Sequence, residues 1–103
     1  MINIVWANPA LDQLEAILEY IAMDKPLAAK KLAGNVFLAV DRLAQFPNSG
    51  RIPPELNKGV YREIVCPPLR VFYRANKKQI LIVHVMREEQ QLRRYLLNVK
   101  DEQ

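Results

Sequence analysis

The chain reads as an α+β fold in the order β-α-α-β-β-β, an N-terminal helical hairpin packed on one face of a small, mainly antiparallel sheet, with a C-terminal helix. Three observations predict it. Apolar residues recur every three or four positions from Leu11 to Leu43, the period of a helix buried along one side. From Val60 to Met86 the apolar residues are β-branched or aromatic and fall in short runs separated by Pro67-Pro68 and Asn76-Lys77-Lys78, the pattern of strands joined by tight turns. The two helical stretches are separated by only a few residues around Asp24, so they must fold back on each other.

Ile2 to Trp6 is a short apolar strand that stops at Asn8-Pro9. Asn8 is read as the cap of the first helix and Pro9 as its first residue, because Pro lacks the N–H that would go unpaired there. Leu11, Leu14, Leu18 and Ile21 form its buried stripe, widened by Ile17. Pro26 opens the second helix, where Ala29, Leu32, Val36, Val40 and Leu43 share a face, and Phe46-Pro47 closes it. Residues 47–59 hold three of the prolines and two of the three glycines and are read as an ordered loop. Strands are expected over Val60–Val65, Leu69–Ala75 and Gln79–Met86, the last two as a hairpin. Leu92, Leu96 and Val99 fall at helical spacing and predict the C-terminal helix.

One domain, 1–103, accounts for the length. Composition excludes several chemistries. One cysteine, Cys66, rules out an intrachain disulfide, and with one histidine, His84, it rules out a four-ligand zinc site. Ser49 is the sole serine and threonine is missing; in Pro47-Asn48-Ser49-Gly50 its role is turn-forming rather than nucleophilic. Three glycines do not make a phosphate-cradling loop. No cofactor and no metal are expected. No apolar run is long enough to span a bilayer, so the chain is expected to be cytoplasmic with no membrane partner. The chain carries a net charge of +4, and residues 51–103 alone hold eleven Lys and Arg against six Asp and Glu, which points to an anionic partner for that half.

Alternation along the strands places Arg70, Phe72 and Arg74 on one side of the middle strand. Because unpaired guanidinium groups resist burial, Arg62, Arg70 and Arg74 are expected together on the sheet face that the helices leave open. Two readings follow. The arginines grip carboxylates or phosphates of a partner, or they pair with Glu63, Glu88 or Glu89 and solubilise an exposed sheet. His84, inside an apolar strand, is read as a core residue. Cys66 is read as an inert buried thiol. On the last strand either parity is apolar, so periodicity does not choose its inner face.

The residues also carry a resemblance. Asn8-Pro9-Ala10-Leu11-Asp12-Gln13-Leu14, Glu19-Tyr20-Ile21-Ala22, Pro26-Leu27-Ala28-Ala29, Phe46-Pro47-Asn48-Ser49-Gly50-Arg51, Tyr61-Arg62-Glu63-Ile64 and Leu69-Arg70-Val71-Phe72-Tyr73-Arg74 follow one another as in toxins of the RelE/ParE superfamily from bacterial type II toxin–antitoxin systems. The long helical hairpin, the Gly50-Arg51 loop and Arg62-Glu63 resemble the ParE branch. The resemblance implies a toxin that inhibits DNA gyrase and is neutralised by a cognate antitoxin, reaching operator DNA only through that antitoxin. Arg51, Arg62, Arg70, Arg74 and Arg87 are then the expected antitoxin or target contacts, with no catalytic residue.

The RelE branch implies an alternative: a metal-independent, ribosome-dependent mRNA endonuclease in which Arg70 and Arg74 hold phosphate and Arg62 or Lys58 stabilises charge. Met86-Arg87-Glu88-Glu89 departs from the family, which often ends this strand with a histidine and basic residues. A general base would then have to be Tyr61, Tyr73 or Tyr95, each normally protonated at neutral pH. A third reading is a binding module that has lost toxicity and only complexes an antitoxin.

Overall fold

The computed structural model describes residues 2–56 and 58–97, without the side chains of Arg94 and Tyr95. The elements are β1 (Asn3–Trp6), α1 (Asn8–Ala22), α2 (Pro26–Arg42), β2 (Tyr61–Cys66), β3 (Leu69–Ala75) and β4 (Gln79–Arg87), followed by a 3-10 turn at Arg94–Leu97. The four strands form one sheet in the order β1-β4-β3-β2. β2, β3 and β4 are antiparallel neighbours, whereas β1 joins β4 in parallel, Asn3 opposite Gln79 and Trp6 opposite Ile82. The sheet is therefore mixed, with the first and last strands side by side.

The helices form where the apolar period demands them. α1 starts at Asn8, one residue before the expected position, and Ala7 takes the cap place with no side-chain bond. The reason lies in the sheet: the Ala7 N–H donates to the Ile82 carbonyl at 2.9 Å, so the chain stays in the β4 ladder through Ala7. α1 packs on β4 and α2 on β2. Leu14, Leu32, Val36, Val40 and Leu43 are buried there against Val71, Tyr73, Ile80 and Ile82.

β4 settles its parity by changing it. Tyr73 faces Ile82, but Phe72 faces His84, so Val83 is an extra residue in the ladder. Such a bulge re-aims the side chains beyond it: Ile80, Ile82 and Val85 point to the helices, and Leu81, Val83 and Met86 to the other side. The hairpin turn before β4 is closed by Asn76, whose Oδ1 accepts the N–H groups of Lys78 and Gln79 at 2.7 and 2.8 Å.

That other side is not bare, contrary to the expectation of an open face. Phe72, Leu81, Val83 and Met86 form a second core with Leu56, Leu92 and Leu97. The loop before β2 and the segment after β4 thus cover the sheet from below. The expected C-terminal helix is replaced by the 3-10 turn, and Val99 falls outside the described residues. Leu92 and Leu97 both reach the second core, and the Leu92 N–H is taken by a Glu55 carboxylate oxygen at 3.0 Å. A side-chain acceptor has displaced the helical one.

Candidate partner-binding surface

The expected cluster of Arg62, Arg70 and Arg74 on one face does not form, for two separate reasons. Arg62 lies opposite Tyr73 in the ladder and shares the helix-bearing face with it, whereas Arg70 and Arg74 share the second face with Phe72. Arg70, moreover, is buried, 5% exposed. Burial of a guanidinium requires that its charge and its donors be met, and here all five N–H donors are. Its Nε and one terminal nitrogen hold the two oxygens of Glu63 at 2.7 and 3.1 Å. The two terminal nitrogens hold the oxygens of Glu55, each at 2.8 Å, and one also donates to the Gln90 carbonyl at 3.1 Å. The cation stacks on Phe72, 4.9 Å from the ring centre.

These bonds shift the groups that make them. The hydrogen bonds of Arg70 hold the Glu55 carboxyl down at about 2, and those of Glu55 and Glu63 raise the Arg70 guanidinium further above its already high value. Arg70 therefore clasps three segments together: the loop at Glu55, the strand at Glu63 and the chain leaving β4 at Gln90.

Glu63 collects a second cation. Arg51 Nε donates to it at 3.1 Å, and the two backbones exchange both hydrogen bonds at 3.0 and 2.8 Å. The Arg51 side chain remains 58% exposed. Next to it, the Tyr73 hydroxyl donates to the Pro47 carbonyl at 2.7 Å and accepts the Gly50 N–H at 3.0 Å. Arg62 donates to the Gly50 carbonyl at 2.8 Å. Gly50 permits this approach, since a Cβ there would lie 2.6 Å from the Tyr73 hydroxyl oxygen and 2.8 Å from the Glu63 carbonyl. Arg51, Arg62 and Arg70 thus meet around Gly50 and Glu63. The other predicted residues lie apart. Arg74 stands between Tyr61 and Leu81 in the ladder, near the Lys77-Lys78 turn. Lys58 is exposed in the loop. Arg87, at the far end of β4, stacks on Tyr20 at 5.8 Å.

Glu55 was not among the expected partners of Arg70, and nothing local marks it: it stands fifteen positions from Arg70, just after Pro53-Pro54. The anchoring role of Tyr73 was equally hidden. Of the three candidate bases, Tyr61 and Tyr73 are engaged, and the side chain of Tyr95 lies outside the described residues. Tyr61 donates to the Leu97 carbonyl at 3.1 Å, burial raises the Tyr73 phenol, and burial pushes His84 down, keeping it neutral. Burial likewise raises the Cys66 thiol. Among the described residues no group of His, Cys, Asp and Glu is arranged to hold a metal, and no helix is long and apolar enough to cross a membrane. The arrangement is suited to presenting cations, Arg51 foremost, on a tightly braced frame.

Residues 4–92 match the family described as the ParE toxin of the type II toxin–antitoxin system parDE. Toxin RelE2 of Caulobacter vibrioides is 37% identical over 89 residues, covering 84% of this chain and 92% of that protein. The solved chromosomal ParDE toxin–antitoxin system from P. aeruginosa contains a chain that superposes with a TM-score of 0.72 at 25% identity, covering 86% of this chain and 98% of that one.

Proposed function

The chain belongs to the ParE toxin family of type II toxin–antitoxin systems, and from that membership we propose that it acts by binding and inhibiting DNA gyrase and is held inactive by a cognate antitoxin. The observation that carries the choice of target is the engagement of Arg70. A nuclease of the alternative kind would need this guanidinium for phosphate, yet its five N–H donors already have acceptors within the chain. Tyr61 and Tyr73 donate to backbone carbonyls, and His84 lies in the second core side of the sheet, 8% exposed. A protein that works by binding needs none of these groups for proton transfer. It needs a rigid surface with accessible charge, and Arg51, Arg62, Arg74 and Arg87 supply the contacts in this reading. Arg70 shapes that surface from beneath. The toxin and its antitoxin meet in the cytoplasm, and operator DNA is reached through the antitoxin.

The name of the Caulobacter relative favours the RelE-like reading, so the test must separate the two. Purified toxin at saturation is expected to block supercoiling by DNA gyrase and to leave translated mRNA intact in a primer-extension assay. Unimpaired supercoiling together with cuts in phase with codons would replace gyrase by the ribosome.

A further inference from the structure

A cavity of about 450 Å³ lies along the outer edge of β2, between the end of α2 and the Ser49-Gly50-Arg51 loop. Leu32 and Asn35 line one groove with Pro67 and Pro68, whereas Ala39 and Arg42 line this cavity with Glu63 and Val65, so α2 runs antiparallel along the strand. Arg42 therefore stands at the Arg51 end. Arg51 spends only its Nε on Glu63, and its terminal nitrogens have no acceptor among the described residues. Arg42 is exposed and makes no ion pair among them. Glu63, the acid in the lining, does not repel an anion, because Arg70 holds both of its oxygens and Arg51 one of them. Ser49 adds an exposed hydroxyl.

The strand edge supplies a second kind of group. The Arg51 and Glu63 backbones exchange both hydrogen bonds, so Glu63 directs its N–H and C=O outward, and by alternation Val65 does the same two residues on. Among the described residues nothing pairs with Val65 on that side, and its side chain leaves it 39% exposed. Such an edge offers one donor and one acceptor side by side.

We infer that this cavity binds a nucleoside phosphate, with the phosphate between Arg42 and Arg51 and the edge of the base on the Val65 backbone. Guanidinium forks suit phosphate oxygens, and the Ser49 hydroxyl can donate to a third. A base such as adenine presents an acceptor at N7 beside a donor at N6, the complement of the Val65 N–H and C=O. Glu63, which Arg51 faces, and Val65 stand about 7 Å apart along the strand, so both subsites lie within the reach of one nucleotide. Ala39 and Ile64 give the base an apolar wall. Neither Arg70 nor Arg74 takes part, so the site is distinct from the phosphate contacts of the nuclease alternative and stands with either target.

The test titrates the full chain with deoxyadenosine monophosphate and with its two halves, deoxyribose 5-phosphate and deoxyadenosine, by calorimetry and by amide NMR. The nucleotide is expected to bind about tenfold more tightly than either half and to shift the amide resonances of Val65 and Arg51. Arg42→Gln, a change at an exposed position, should weaken the nucleotide about tenfold and keep the wild-type thermal melt. The comparison of the halves is made on the wild-type chain, so it does not depend on the variant. A short single-stranded oligodeoxyadenylate separates the two sources of the ligand: tighter binding than the mononucleotide assigns the site to a nucleic-acid strand, equal binding to a free nucleotide, and either supports the site. Three results would overturn it: no binding of mononucleotide or oligonucleotide, a nucleotide that binds no better than deoxyribose 5-phosphate and leaves the Val65 amide unmoved, or wild-type affinity in Arg42→Gln.

Discussion

The two faces of the sheet are closed by different physics. On one, α1 and α2 lay continuous apolar stripes over Val71, Tyr73, Ile80 and Ile82, and burial of hydrocarbon is the main source of stability. On the other, no α-helix lies among the described residues. A proline-rich loop and a short 3-10 segment contribute Leu56, Leu92 and Leu97, and these irregular pieces hold position because Arg70 ties Glu55, Glu63 and Gln90 together. Regular elements satisfy their own backbone and need only an apolar face. Irregular ones leave polar groups over, and a buried ion network gathers them. The difference explains why a cationic side chain sits inside a sheet that presents itself, in sequence, as a binding face.

Removing the clasp is the strongest way to break this comparison. Arg70→Ala leaves the fully buried Glu63 side chain to Arg51 alone and takes the cation from Glu55, and it is expected to lower stability by about 3 kcal/mol in urea unfolding. It should also release hydrogen-exchange protection at Leu92 while sparing the amides of α1. A variant within 1 kcal/mol of wild type would show that the second face is held by its leucines alone. A smaller loss is expected from Tyr73→Phe, which leaves the Gly50 N–H and the Pro47 carbonyl without their shared hydroxyl. It should lower stability by about 1–3 kcal/mol and loosen the Arg51 loop, read as faster proteolysis there. No change in either would mean that Arg62 holds the loop unaided.

The smallest effect is expected from acid. Because Glu55 is held at about 2 in the folded protein against an ordinary 4.5, the unfolded chain binds a proton more readily. The stabilisation is therefore complete above pH 4.5 and is lost as the pH falls from there towards 2. Glu55→Gln should be less stable at neutral pH and show a flatter loss across that window. A wild type and variant with parallel acid profiles would remove Glu55 from the clasp.

Sequence made the helix-bearing half legible because its information is local. Leu14, Leu32, Val36 and Val40 announce themselves by period, and Asn76 by its place in a turn. What joins distant segments was not legible. Glu55 finds Arg70 only once β2 and β3 have paired, and no spacing encodes it. The parallel pairing of β1 with β4 spans nearly the whole chain. The bulge at Val83 comes from a strand apolar on both sides, whose pattern left either parity open. Arg62 and Arg70 are an even number of residues apart, yet they face opposite ways because the Pro67-Pro68 turn and the antiparallel register intervene. Among the site residues, Arg51 stands exposed in its loop, whereas Arg70 was misplaced because one of the two acids that neutralise it, Glu55, lies outside the strands.

The adjacency of β1 and β4 has a consequence for how such a protein can be made. Residues 3–6 leave the ribosome well before their hydrogen-bonding neighbours at residues 79–82, and long-range pairings of this kind form late. Until β4 has been synthesised, α1 has no strand to pack on and the first strand no companion. The sheet, and with it the braced frame around Arg51, is thus completed only after most of the described residues have left the tunnel.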